Sequence, residues 1–141
     1  VQGMDYLPDG DLVVASGYSG LVKVSPEGVV TNLATSLTSV YGVTVGPDGM
    51  VYASDMSSVW KVDPETGTTE SIAGGMSPRG VAFSPDLSRM YITSGGGLGR
   101  VFVGYLDDAL NLIAEPTLFT TITGAGTYCD FEVLGSIEDF R

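Results

Sequence analysis

Carboxylates are the chemically able side chains this sequence offers most freely. Seventeen Asp and Glu stand against six Lys and Arg, for a formal net charge of −11 and a pI near 4.1. Histidine is absent, which removes His-ligated zinc and any Ser-His-Asp or Cys-His site built from this chain alone. Cys129 is the single cysteine, so no disulfide forms within the chain. A lone thiol of this kind reads as a small buried apolar residue rather than a nucleophile. So acidic a surface repels a phosphate backbone, and nucleic acid is not an expected partner. The same charge keeps a protein soluble and draws cations, including a divalent metal held by oxygen ligands.

Several acidic and glycine-rich motifs are better explained by geometry than by chemistry. Pro8-Asp9-Gly10 and Pro47-Asp48-Gly49 are turn sequences, with proline presetting φ and glycine supplying the positive φ that follows. Asp9-Gly10-Asp11 lacks the remaining ligands of a calcium loop. Gly95-Gly96-Gly97-Leu98-Gly99 could suggest a phosphate cradle. No helix signal follows it and no Gly-Lys-Ser/Thr lies nearby, so it reads as a hairpin loop.

These motifs recur because the chain repeats. Gly3-Met-Asp-Tyr-Leu-Pro8-Asp9-Gly10, Gly42-Val-Thr-Val-Gly-Pro47-Asp48-Gly49 and Gly80-Val-Ala-Phe-Ser-Pro85-Asp86 line up at offsets of 39 and 38 residues. Val22-Lys23-Val24-Ser25-Pro26-Glu27 matches Trp60-Lys61-Val62-Asp63-Pro64-Glu65 at an offset of 38. Within the second unit the spacing predicts strands over 42–45, 51–54, 58–62 and 68–73. Val59 and Lys61 fall on one face of the third of these, Trp60 and Val62 on the other. Trp60 is expected to pack between units. No stretch carries a capped helical period.

A four-stranded unit near 40 residues is a β-propeller blade. The fold class expected is therefore all-β, a propeller with three four-stranded blades and the first strand of a fourth. The blades span about 3–35, 42–74 and 80–123, with the fourth beginning at 128–134. Propellers close with about four to eight blades, so a ring is completed either by a missing remainder or by a second copy in a homodimer. No apolar run reaches the roughly 18 residues of a membrane helix, and no membrane partner is expected. Val1-Gln2-Gly3-Met4 has neither a basic nor an apolar leader, so no signal peptide is expected.

The run Gly80-Val-Ala-Phe-Ser-Pro-Asp86 with Arg89-Met-Tyr-Ile-Thr-Ser94 resembles the SMP-30/gluconolactonase/luciferin-regenerating family of six-bladed propellers. Leu106-Asp-Asp-Ala-Leu110, leading to Leu118-Phe119, is similar to that family's passage from third to fourth strand. NHL-type and strictosidine-synthase-like propellers share this blade grammar. The resemblance implies a divalent cation, often calcium, in the central channel, and hydrolysis of a lactone or ester. It places the metal ligands just before the glycine of each first strand. The matching positions here are Gln2, Tyr41, Arg79 and Asp130. Asp130 is the carboxylate among them, implied as metal ligand and general base. Tyr41 and Arg79 stand where the family carries Asn, and Phe131 stands where it carries Gly.

Two functions follow from this reading. One is a calcium-dependent hydrolase acting on a sugar lactone or small ester, with Asp130 as its acid-base group. The other is a non-catalytic NHL-like propeller serving as a binding scaffold for a protein or glycan. Arg79 beside Asp130 would favour an anionic or polar small molecule in the channel over a bare metal.

Overall fold

A computed structural model describes residues 2–95 and 99–123 of the chain. Its regular structure is entirely β, in three antiparallel four-stranded sheets, each a simple meander in chain order. The first sheet holds β1 (Gly3–Tyr6), β2 (Leu12–Ala15), β3 (Leu21–Val24) and β4 (Val30–Ala34). The second holds β5 (Gly42–Val45), β6 (Val51–Ser54), β7 (Ser58–Val62) and β8 (Thr69–Gly74). The third holds β9 (Pro78–Phe83), β10 (Arg89–Ser94), β11 (Arg100–Tyr105) and β12 (Thr117–Thr121). Three such sheets, joined through their first strands, are three blades of a β-propeller. The expected fourth blade start at 128–134 lies outside the described residues.

Period-two alternation explains how one short sheet can be apolar on both faces. Along β6, Val51 and Ala53 point into the first blade junction, with Leu7, Val13, Ala15 and Leu21. Tyr52, between them, points the other way into the second junction, with Met90 and Ile92. All three β6 residues are fully buried. Burying a valine of this kind contributes about 1.5–3 kcal/mol. Tyr52 packs edge-on to Phe83 at 4.9 Å and donates its hydroxyl to Asp48 Oδ2 at 3.0 Å. Burial, and then the Asp48 carboxylate, push the Tyr52 phenol well above its usual range. Val59 belongs to the second junction and Val62 to the first, where Trp60 also packs.

The expected turns form. Gly10 and Gly49 hold φ of 95° and 80°, and their amides close onto the carbonyls of Leu7 and Gly46. Asp9 and Asp48 each accept the amide two residues on. In the third blade Leu87 occupies the glycine position at φ 60°. The closing bond there runs from Ser84 to Arg89, against Leu7 to Asp11 in the first blade, so this turn is one residue longer.

Polar ties fix how the first strands lie together. Asp5 Oδ2 accepts the Val45 amide at 2.8 Å. Thr44, at the position equivalent to Asp5, donates its hydroxyl to the Val81 carbonyl at 2.8 Å. The strands β1, β5 and β9 thus run side by side in one direction, and their beginnings share one end of the molecule.

Candidate functional site

Gln2 and Tyr41 immediately precede β1 and β5, in the same register. The Gln2 amide donates to Ala15 O at 2.9 Å and the Tyr41 amide to Ser54 O at 2.8 Å. Arg79 reaches the same end by a different local route. Gly80 pairs with Thr93 and Pro78 with Ser94, which leaves Arg79 as the extra residue of a β-bulge. A bulge re-aims a side chain, and this one turns the guanidinium onto the neighbouring blade. Arg79 Cζ lies 3.8 Å from the centroid of the Tyr41 ring. A cation over an aromatic face contributes about 0.5–2 kcal/mol, depending on desolvation.

Small residues make that contact possible. Ser54 Oγ accepts the Gly42 amide at 3.2 Å and donates to the Arg79 carbonyl at 2.6 Å. A Cβ on Gly42 would collide with the Arg79 carbonyl oxygen, and one on Gly95 would collide with the Arg79 guanidinium. Gly95 is itself fixed by its amide, which donates to Ser77 O at 2.8 Å. Arg79 is therefore held at its backbone by Ser54 and at its head by Tyr41 and Gly95. Arg100 opens β11 at the same end, with its Nε buried and without a hydrogen-bond partner among the described residues.

Arg79 takes no carboxylate partner among the described residues. The ion pairs there belong to Lys23, with Asp9 and Asp11 at 3.9 and 3.7 Å, and to Lys61, with Asp48 at 3.7 Å. Gln2 is exposed, and no side-chain hydrogen bond joins it to Tyr41 or Arg79 among the described residues. Of the four positions expected to line the channel, the structure brings Tyr41 and Arg79 into contact. Gln2 occupies the equivalent place on the first blade, and Asp130 lies outside the described residues. No three His, Cys, Asp or Glu side chains converge to hold a metal among the described residues. A guanidinium stacked on a phenol does not fit a divalent cation, which requires oxygen ligands.

Asp5, Asp48 and Asp55 have structural work. Asp55 is buried and its Oδ1 accepts the Ser57 and Ser58 amides and the Ser57 hydroxyl at 2.7–2.8 Å, while Oδ2 accepts Trp60 Nε1 at 2.8 Å. Burial alone would push its pKa up. The hydrogen bonds from Ser57, Ser58 and Trp60 outweigh that and hold the carboxyl below its usual range. Two shallow crevices indent the opposite end, where the turns gather. One is lined by Leu7, Pro8, Gly49 and Pro64, the other by Asp86, Leu87, Asp107 and Leu110. Sequence reasoning missed Ser54, Gly95 and Asp55 as positioning residues. Ser54 had a signal in its register, since Ala15 and Thr93 are its repeat equivalents.

No protein-family model matches the chain, and no curated protein matches it. Solved structures do. An auxiliary nutrient binding protein from Bacteroides ovatus superimposes with a TM-score of 0.69 at 17% identity, over 89% of this chain and 32% of that one. The PQQ-bound aldose sugar dehydrogenase from Streptomyces coelicolor gives 0.62 at 16% identity, over 84% and 48%. The PQQ domain of pyranose dehydrogenase from Coprinopsis cinerea gives 0.61 at 18% identity, over 74% and 33%. This chain thus spans a third to a half of their lengths, and at such identities the likeness shows the fold. Membership of the SMP-30/gluconolactonase family is not shown by these comparisons; the β-propeller fold is.

Proposed function

We propose that this chain contributes a binding site for a small sugar-like molecule at the end of the propeller where its first strands begin. The Arg79–Tyr41 stack is the observation that carries this reading. It joins an aromatic ring to a planar, multiply donating cation across two blades, and the exposed Gln2 holds the equivalent position on the first blade. Ligand sites combine apolar or aromatic walls with a few placed polar groups, and guanidinium donors suit ring hydroxyls and acids. The neighbours named for nutrient binding and for sugar oxidation share the fold on which such a site is built.

Titration calorimetry with a panel of monosaccharides and their acids tests the proposal. At least one member is expected to bind, with Tyr41→Ala weakening it tenfold or more. A panel without a single binder would overturn it. Calcium-dependent lactone hydrolysis is the second reading, supported by the resemblance over Gly80–Ser94 and by the carboxylate of Asp130. That reading requires calcium binding and lactone turnover that Asp130→Asn abolishes.

A further inference from the structure

Among the described residues the cations are few, and most are engaged. Lys23 and Lys61 are spent on aspartates of the turns. Arg89 reaches the Tyr91 hydroxyl at 3.4 Å and lies beside the Tyr105 ring at 5.7 Å. The ion pairs among the described residues are all made by lysines, and Arg79, like Arg89 and Arg100, takes no carboxylate there. Its guanidinium lies instead on Tyr41, against a Gly95 that has no side chain to displace it.

Contact with the ring uses the face of the guanidinium, and Gly95 stands at its Nε side, which leaves the terminal Nη donors for another partner. Those donors match a carboxylate in two parallel hydrogen bonds. From this we infer that the ligand of the proposed site carries a carboxylate, as a uronic acid does, and that Arg79 selects it. Gly95 is the positioning residue that keeps the guanidinium in its stacked pose. The inference rests on the binding proposal above and narrows its ligand class. The net charge of −11 repels an anion from a distance. That field is screened within about 8–10 Å at physiological salt, so selection belongs to the local donors.

Gly95 acts on Arg79 sterically. A methyl group there would overlap Arg79 Nε and crowd Cζ and Nη2, yet Gly95 does not adopt the left-handed φ that strains an L-residue. Alanine can therefore take up the backbone conformation, and its cost falls on the arginine head.

The test measures affinity for D-glucuronate and for D-glucose in the whole chain, in wild type, Arg79→Gln, Gly95→Ala and the double variant, with circular dichroism confirming the fold. Wild type is expected to prefer glucuronate at least tenfold. Arg79→Gln is expected to erase that preference, lowering glucuronate affinity at least tenfold more than it lowers glucose affinity. Gly95→Ala should lower the preference threefold or more, and should change nothing further in the Arg79→Gln background, because coupled residues are not additive. Equal affinities in wild type, or a preference that survives Arg79→Gln, would overturn the inference and leave the sugar site standing. Failure of both sugars to bind would overturn the inference, and the wider panel then decides whether the site itself stands.

Discussion

Asp55 shows how much one buried carboxylate can organise. It closes the β6–β7 hairpin through two amides and a hydroxyl, and it holds the indole of Trp60. Because its folded pKa is depressed, its stabilising contribution is fully present above the ordinary aspartate value of about 3.9. That contribution is lost as pH falls through the lower folded value. Trp60 is the single tryptophan, so its emission is expected to shift red in that acid range. Asp55→Asn should cost about 1–3 kcal/mol and flatten the acid dependence, since an amide would turn a donor toward one of the present donors. Leu87 is a second residue with a measurable consequence. It sits at φ 60° where the other two blades carry glycine, a region that costs an L-residue roughly 1–2 kcal/mol. Leu87→Gly should raise stability by about 0.5–1 kcal/mol once the entropy of glycine is offset, read as a higher denaturation midpoint. The equivalence of Leu87 to Gly10 and Gly49 was hidden in the sequence, because the third turn carries an extra residue.

At the scale of elements, strand identity was legible because two independent signals coincided. Turn residues repeat at 38–39 residues, and the strands between them send successive residues to opposite faces, as Val59 and Val62 show by entering different junctions. What escaped the sequence was local irregularity. The bulge at Arg79 depends on how β9 and β10 slip past each other, which no residue type announces. Gly95 looked like one of several loop glycines, and its role exists only because Arg79 arrives from a different strand. Asp130 cannot be compared with its expected role, because it lies outside the described residues. The blade-to-blade ties at Asp5 and Thr44 belong to this scale too. They occupy one repeat position, and Ala82 fills it in the third blade without a polar group. Thr44→Val should cost about 0.5–1.5 kcal/mol by losing its bond to Val81. Asp5→Ala should cost more, about 1–3 kcal/mol, because it strands the Val45 amide. Chemical denaturation of both variants checks the order.

The whole molecule presents blade faces that repeat the pattern of its junctions. On the first blade Met4 and Tyr6 pair with Val14 and Leu12, which pair in turn with Val22 and Val24. This row bears no charge, and it is the repeat counterpart of residues that β5 and β6 bury in the first junction. Met4 and Tyr6 are 60% and 68% exposed. On the third blade Tyr91 and Phe119 pack edge-on at 5.4 Å on the side away from the second blade. Apolar sheet faces of this kind drive association. The 141-residue chain alone is therefore expected to exceed its monomer mass in light scattering, and Tyr6→Asp should lower that mass.

Neighbouring first strands bring Tyr41 and Arg79 into contact across two blades. Nuclear magnetic resonance of the Arg79 side chain tests it most directly. A guanidinium 3.8 Å from a ring centroid should show Hε and Hδ signals displaced upfield by the ring current, with the displacement lost in Tyr41→Leu. Arg79 signals at unperturbed positions in the folded wild type, unchanged by Tyr41→Leu, would contradict the account.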